Sequence, residues 1–421
     1  MKNRILLLAV LSATLGAASV FPFNQSAVAQ TQASTASPAG IRVESLYVTS
    51  ETAGGLFENV AAALQKKYVD QSFRTNELPK LITQYSDRAR RANTLREQRE
   101  ITEEFLSHIP ASHLGLLSKT TYRYVFYDLE GRRYPTVGFQ LIEIDSKYYA
   151  FTVLEAGPGE RAGLKSWDRI VTIDGVPVEQ SPRLDWRSDD AYIGDDRDPP
   201  VHYVIAGAGE TLRLKVERQK NKFLDLTVPV EDYSAFAAAK ASARVLKSEG
   251  RSFGYLHFWY VHLTGLPELI KEKLQGEFSA CDGLIIDLRG RGGNAFAVFK
   301  IVDLLRADQS SKHRPIVALV DRQSRSAKDL LAYEFKSKGI ARLVGEPTAG
   351  AAIPASFADV GHDTVLMFPT FRLPKFTDLL ELKPVEPDVA VTRAGPLSGG
   401  DDPILTAGLA EVLRLAKASA K

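Results

Sequence analysis

The sequence predicts a multidomain α+β fold in three parts: an N-terminal helical cap, a small β domain, and an α/β core with parallel crossovers. Three observations carry this. Apolar residues recur at three-to-four spacing between Phe57 and His108. Short β-like runs broken by Gly, Pro and Asp fill the stretch from Tyr122 to about Val230. Beyond residue 250, continuous apolar runs alternate with helical stretches, the pattern of parallel strands buried on both faces. With 421 residues, 44% hydrophobic and 25% charged, the chain is long enough for two or three domains. Its composition excludes wholesale disorder, a collagenous repeat and a disulfide scaffold.

The first segment reads as a secretory leader. Lys2 and Arg4 precede an apolar run from Ile5 to about Val20, and Ala27-Val28-Ala29 forms a small-x-small cleavage site. The run falls short of the ~20 apolar residues of a spanning helix, with an uncleaved anchor as the alternative reading. Cleavage after Ala29 removes Lys2 and Arg4 from the 53 basic residues, which balances the 51 acidic ones. A formally neutral mature chain gives no sign of a nucleic-acid partner or a polybasic membrane patch, and no later segment is read as a membrane span. The single cysteine, Cys281, and the absence of a CxxC or Cys/His cluster give no disulfide and no metal site. The expected location is therefore periplasmic or secreted.

Residues 30–54 form a Ser/Ala/Thr/Gln-rich flexible leader, followed by the cap over 55–121. Phe57, Val60, Ala61, Leu64 and Tyr68 define one helical face, and Leu78, Leu81, Ile82 and Tyr85 another; Pro110 closes the section. The small domain covers 122–233, with YRYVFYDL, YYAFTVLE, RIVTIDG and LRLKVER as its strand-like runs, and 234–250 reads as a helical linker. The core, 251–421, alternates FGYLHFWY, GLIIDLR, PIVALV and ARLVG with amphipathic stretches, and ends in a helix over Pro403–Ala418.

Within the small domain, GPGERAGLKSWDRIVTIDGVPV (157–178) holds a tight turn at Ala162-Gly163-Leu164, an acidic turn at Trp167-Asp168, the strand Arg169–Ile173 and an Asp174-Gly175 hairpin turn. This string resembles PDZ domains of the bacterial type. The resemblance makes Val137-Gly138-Phe139-Gln140 the loop that holds a peptide carboxylate, with the next strand accepting the peptide as an added strand. The acidic, irregular RLDWRSDDAYIGDDRDPP (183–200) stands where a groove helix is expected, and a purely positioning domain is the alternative.

Three core loops follow strand-like runs and lead into helices. GLIIDLRGRGGN (283–294) places Gly292 and Gly293 where backbone N–H groups can converge on a small anion. PIVALVDRQSRSAKDLLAYEF (315–335) puts Ser326 at the start of a helix, and GEPTAGAA (345–352) is the third loop. A serine at such a turn is exposed to nearby N–H donors, although N-capping is the ordinary role of a serine there.

Taken in this order, the cap, the PDZ-like string, GLIIDLRGRGG, the serine loop and GEPTAG resemble the C-terminal processing protease and tricorn protease family of serine peptidases, over roughly residues 55–415. The resemblance implies a crotonase/ClpP-like core, a serine endopeptidase acting on proteins or peptides, no cofactor, and Ser326 as nucleophile, with Ser324 as its rival. Ala351 stands where the processing branch has its lysine, and Lys328, two residues after Ser326, is expected to point elsewhere. IPASHLGLL (109–117) and LLELKPVEPDVAV (379–391) resemble the tricorn-like branch, which implies His113 as base, supported by Ser112 and Glu381. Among the seven histidines, His257 reads as facing a core, and His262 and His362 as surface or packing positions. The oxyanion donors are expected to be the amides of Ala327 and of Gly293 or Gly292. Arg325, Lys328 and Asp329 depart from the family's serine flanks, with Asp329 standing for a glutamate. Relatives that bind lipids or retinoids on this scaffold leave a second reading, a non-catalytic protein for peptides or apolar ligands. Homo-oligomerisation is left open.

Overall fold

A computed structural model describes residues 55–185 and 201–419. The predicted leader, residues 30–54 and most of the acidic stretch 183–200 lie outside the described residues. The cap begins with helices α1 (Leu56–Lys67), α2 (Gln71–Asn76), α3 (Leu78–Arg90) and α4 (Leu95–Ser107). Asp70 and Thr94 cap α2 and α4 by accepting the N–H of Phe73 and Glu97. Leu56, Phe57, Val60, Leu64, Leu78, Tyr85, Phe105 and Leu106 meet in one core, each large side chain contributing ~1.5–3 kcal/mol on burial.

After α4 the chain runs through Pro110–Leu114 into strand β1 (Gly115–Ser118) and helix α5 (Lys119–Glu130). This corrects one expectation: YRYVFYDL is helical, and the predicted boundary at 121/122 falls inside α5. The Ser118 hydroxyl caps the helix at Thr121 N–H, and Gly131 closes it at φ 69°. The aromatic side chains find partners at helical spacing, Tyr122 and Phe126 on Phe357 and Tyr124 on Tyr134, so packing overrides their strand preference.

The small domain holds β2 (Tyr134–Thr136), β3 (Phe139–Ile144), β4 (Lys147–Val153), α6 (Pro158–Arg161), β5 (Arg169–Ile173), β6 (Val176–Pro177), β7 (Val201–Tyr203), β8 (Thr211–Gln219), β9 (Lys222–Pro229) and β10 (Glu231–Tyr233). Its main sheet runs β7-β3-β4-β5-β8-β9 with β6 on β5, all antiparallel, and β10 pairs with β2. The Asp174-Gly175 turn takes φ 54° and 83°, as a two-residue hairpin requires. Arg218 grips both oxygens of Asp168 at 3.0 and 2.8 Å, which fixes the acidic turn.

The core comprises α7 (Ala235–Ser242), β11 (Arg244–Ser248), β12 (Arg251–His257), α8 (Leu266–Gln275), β13 (Gly283–Asp287), α9 (Ala295–Lys312), β14 (Ile316–Val320), α10 (Ala327–Ser337), β15 (Arg342–Gly345), β16 (Ala355–Gly361), β17 (Thr364–Pro369), α11 (Phe376–Leu380), β18 (Val389–Ala390) and α12 (Pro403–Ser419). The sheet runs β11-β12-β13-β14-β15-β18, parallel except for β11 against β12. The linker 234–250 is therefore helical only as far as Ser242; its second half is the antiparallel edge strand. Leu284, Ile286, Ala318 and Val320 face α8, α9 and α10, whereas Ile285, Val317 and Leu319 face α12. Burial on both faces accounts for the unbroken apolar runs. Register places His257 beside Asp287, Asp287 beside Leu319, and Val320 beside Gly345. The loops leaving these strands therefore start at one level.

The hairpin β16–β17 lies inside the range predicted as core but pairs with the cap. β17 is antiparallel to β1, Leu116 facing Leu366, and Val360, Leu366 and Phe368 complete the cap's apolar core. Buried Arg99 of α4 donates to Thr364 Oγ1 at 3.0 Å and to the Leu116 carbonyl at 3.1 Å. Cap and core are thus joined by a shared three-stranded sheet.

Candidate active site

The loops after β12, β13, β14 and β15 leave the carboxyl ends of neighbouring parallel strands, where open α/β sheets hold their ligands. Ser326 precedes α10 with φ 58° and ψ −117°, a conformation that a non-glycine residue holds only when its surroundings enforce it. Its N–H is shared between the Ala351 carbonyl and Asp329 Oδ2, both at 2.9 Å. Asp329 is fully buried and also accepts from Thr348 Oγ1 at 2.6 Å, Gly350 N–H at 2.8 Å and Ala351 N–H at 3.0 Å. Burial raises its carboxyl to about 6, against the pull of these four donors. Asp329 thereby ties the GEPTAGAA loop to the serine turn.

Two glycines are dictated by close approach. At Gly293, with φ 142°, an added Cβ would lie 2.4 Å from Val261 N; at Gly292 it would lie 2.7 Å from Ser326 Cβ. Val261 N–H donates to the Gly292 carbonyl at 3.0 Å and its carbonyl accepts from Asn294 N–H at 2.7 Å, a short parallel bridge. The amides of Gly292, Gly293 and Ala327 engage in no hydrogen bond among the described residues, which leaves them as donors around Ser326.

Ser112 and His113 sit between α4 and β1, buried, with His113 at φ 53°. Ser112 N–H donates to Glu381 Oε1 at 2.7 Å, and its hydroxyl lies 3.0 Å from both Glu381 Oε2 and His113 Nδ1. Glu381 Oε2 also accepts the amides of Ala352 and Ile353, at 2.9 and 2.8 Å. With the Ser112 hydrogen directed to the carboxylate, its lone pair accepts Nδ1–H, which makes Nε2 the basic nitrogen of the neutral ring. This group hangs from the residues that follow Ala351, whose carbonyl holds Ser326.

The remaining link is open: the Ser326 hydroxyl makes no hydrogen bond among the described residues, to His113 or otherwise. Ser324 is fully buried, its hydroxyl lying 2.8 Å from the Leu288 carbonyl and accepting the Asp321 N–H at 3.1 Å, so it pins the loop from inside. Lys328 points away from Ser326, its Nζ on the carbonyls of Arg289 and Trp259. His257 is buried between Glu155 and the Arg289 carbonyl, and His262 is buried on the Asp128 carbonyl. His362 is half-buried beside the β16–β17 turn. No group of His, Cys, Asp and Glu suited to a metal occurs among the described residues.

The groove expected at Val137-Gly138-Phe139-Gln140 requires correction. Gly138 takes φ 71° against Pro158, and its N–H donates to Thr136 Oγ1 at 3.1 Å. The edge of β3 that an incoming peptide would join is already paired, Gln140 with Tyr203, Leu141 with His202 and Ile142 with Val201. Strand addition has no free edge there. Residues the sequence reading passed over include Ala352 and Ile353, whose contribution is backbone alone, and Glu155, which reaches from the small domain to Trp259 and His257.

The model of peptidase family S41 matches residues 304–391, a span that contains Ser326, the GEPTAGAA loop and Glu381. The chain is 25% identical over 381 residues to the chloroplastic C-terminal processing peptidase of Tetradesmus obliquus, covering 81% of this chain and 77% of that protein. It is 22% identical over 304 residues to the carboxy-terminal processing protease CtpB of Bacillus subtilis, covering 65% of this chain and 59% of the relative. Among solved structures, the photosystem II D1 C-terminal processing protease is 16% identical, with a TM-score of 0.49 over 83% of this chain and 97% of that one. Over residues 304–391 the chain matches peptidase family S41, and over most of its length it is similar to C-terminal processing proteases, which are serine-type peptidases.

Proposed function

We propose that this chain is an exported serine endopeptidase in which Ser326 attacks the scissile carbonyl and His113 takes the serine proton and returns it to the leaving amine. Glu381 and Ser112 orient the imidazole and stabilise its charged form, and the amides of Ala327 and of Gly293 or Gly292 hold the oxyanion. The observation that carries this reading is the hydrogen-bonded run Glu381–Ser112–His113, held by Ala352 and Ile353 directly after the residue that fixes Ser326. The unbonded Ser326 hydroxyl belongs to a resting arrangement, which substrate closes; catalytic hydrogen bonds are commonly loose before substrate binds. The names of the relatives point to processing near protein C-termini as the activity. Export rests on the predicted leader, and among the described residues no helix is long and apolar enough to cross a membrane.

The small domain is read as a PDZ domain whose β3 edge is closed by β7, so that it first of all positions cap and core. A fluorophosphonate probe tests the assignment: the wild type should be labelled and Ser326→Ala should not. Equal labelling of the two would remove Ser326 from its role. Saturable binding of peptide without turnover, unchanged in a Ser326→Ala/His113→Ala double variant, would support the non-catalytic reading.

A further inference from the structure

The strongest unexplained group in the core is a cation. Lys328 leaves the first turn of α10 two residues after Ser326 and is fully buried. Its Nζ donates to the Arg289 carbonyl at 2.7 Å and to the Trp259 carbonyl at 3.2 Å, with no carboxylate as direct partner. Asp321 at the end of β14, and Asp287 and Arg289 at the end of β13, are the charges that face it. A methionine would fill this volume without desolvating a charge. The ammonium therefore answers to the two carbonyls it holds.

Those carbonyls belong to the two strands of the short bridge described above. Arg289 is the residue before Gly290–Gly293, and Trp259 lies two residues before Val261, which pairs with Gly293. Arg289 is further fixed through its side chain, which grips Asp287 and Asp402, and through its carbonyl, which also meets His257 Nε2 at 3.2 Å. Val261 binds the loop at its far end, and Lys328 binds it at its near end. Because Lys328 stands on the nucleophile's own helix, the same contact sets the distance between Ser326 and the Gly292–Gly293 amides.

We infer that Lys328 is a positioning residue for the oxyanion site: from the helix of Ser326 it clamps the carbonyls of Arg289 and Trp259 and so places the Gly292–Gly293 backbone. The inference rests on the reading of Ser326 as nucleophile and adds a residue to it.

The test is inactivation kinetics with a fluorophosphonate, whose phosphonyl oxygen occupies the oxyanion position, on wild type, Lys328→Met and Lys328→Arg, each checked for folding by circular dichroism and melting. Lys328→Met should lower the maximal inactivation rate ~10–100-fold, the scale of a misplacement of about 1 Å, and leave probe binding unchanged. Lys328→Arg, which retains donors for the carbonyls, should recover part of that rate. A folded Lys328→Met with the wild-type rate, or a loss confined to probe binding, would overturn the inference. Unfolding of both variants would also overturn it, by making Lys328 a residue of stability alone. Failure of the wild type to react at all removes the nucleophile reading, and this inference with it.

Discussion

Ser326, the proposed nucleophile, is distinguished by its backbone surroundings rather than by its side chain. Its backbone is held at φ 58° by Ala351 and Asp329, and Gly292 passes so near that an added Cβ would lie 2.7 Å from the Ser326 Cβ. Two substitutions separate these influences. In Gly292→Ala the new methyl meets Ser326 Cβ, so fluorophosphonate labelling should fall much further than the melting temperature. In Gly293→Ala it meets the Val261 backbone on two sides, with backbone strain of ~1–3 kcal/mol in addition, so stability should fall as well. Equal stability losses in the two would contradict this division. For the base, His113→Ala should lower kcat ~10²–10⁴-fold. Glu381→Gln should lower it less and leave KM nearly unchanged, because the amide still accepts from Ala352 and Ile353 but no longer balances an imidazolium; steady-state kinetics on a peptide substrate decide this. Ser326 and the glycines were legible because a strand-to-helix turn has a residue signature. Ala352, Ile353 and the clamp of Asp329 were not, since any residue supplies a backbone amide and only the fold decides where it points.

Elements joined over long separations left the least trace in the sequence. The strand RIVTI and the core runs GLIID and IVALV were legible because their burial writes a local pattern. The Ala/Lys/Ser-rich neighbourhood of β11 reads as helix, and the aromatics of α5 read as strand because their partners Phe357 and Tyr203 lie far along the chain. The sheet β1-β17-β16 pairs residues about 250 apart, Leu116 with Leu366, and no local rule anticipates it. Yet this sheet carries Ser112 and His113 to the core, with Arg99 bridging its edge strand β1 and its central strand β17. Arg99→Met should leave Thr364 Oγ1 and the Leu116 carbonyl without their buried donor, at ~1–3 kcal/mol for each group left unsatisfied. Its melting temperature should fall, and kcat should fall with it as the cap loosens. A variant with lowered stability but unchanged kcat would show that the cap holds His113 by other means.

At the scale of the whole molecule, buried charge in the core gives stability a pH dependence that can be assigned to one residue. Burial lowers the Lys328 ammonium from its ordinary 10.5 to about 7, opposed by Asp321 and Asp287 and assisted by Arg289. Between these two values the unfolded chain holds a proton on this lysine that the folded chain has released. Stability due to Lys328 therefore rises as pH increases from about 7 towards 10.5, and on lowering pH it is lost over the same range, with no further change below about 7 where both states hold the proton. The slope is at most ~1.4 kcal/mol per pH unit, and less where water or the neighbouring carboxylates relax around the charge. Other groups act at lower pH: Asp128 is raised to about 7 and Asp329 to about 6, both chiefly by burial, and each weakens the folded state as pH rises through those values. Comparing wild type with Lys328→Met cancels their contribution. Across urea midpoints measured at pH 7, 8, 9 and 10, the difference between the two proteins should shift in favour of the wild type at each step. Parallel curves across that range would mean that Lys328 keeps its charge in the fold, with Asp321 and Asp287 compensating its desolvation in full.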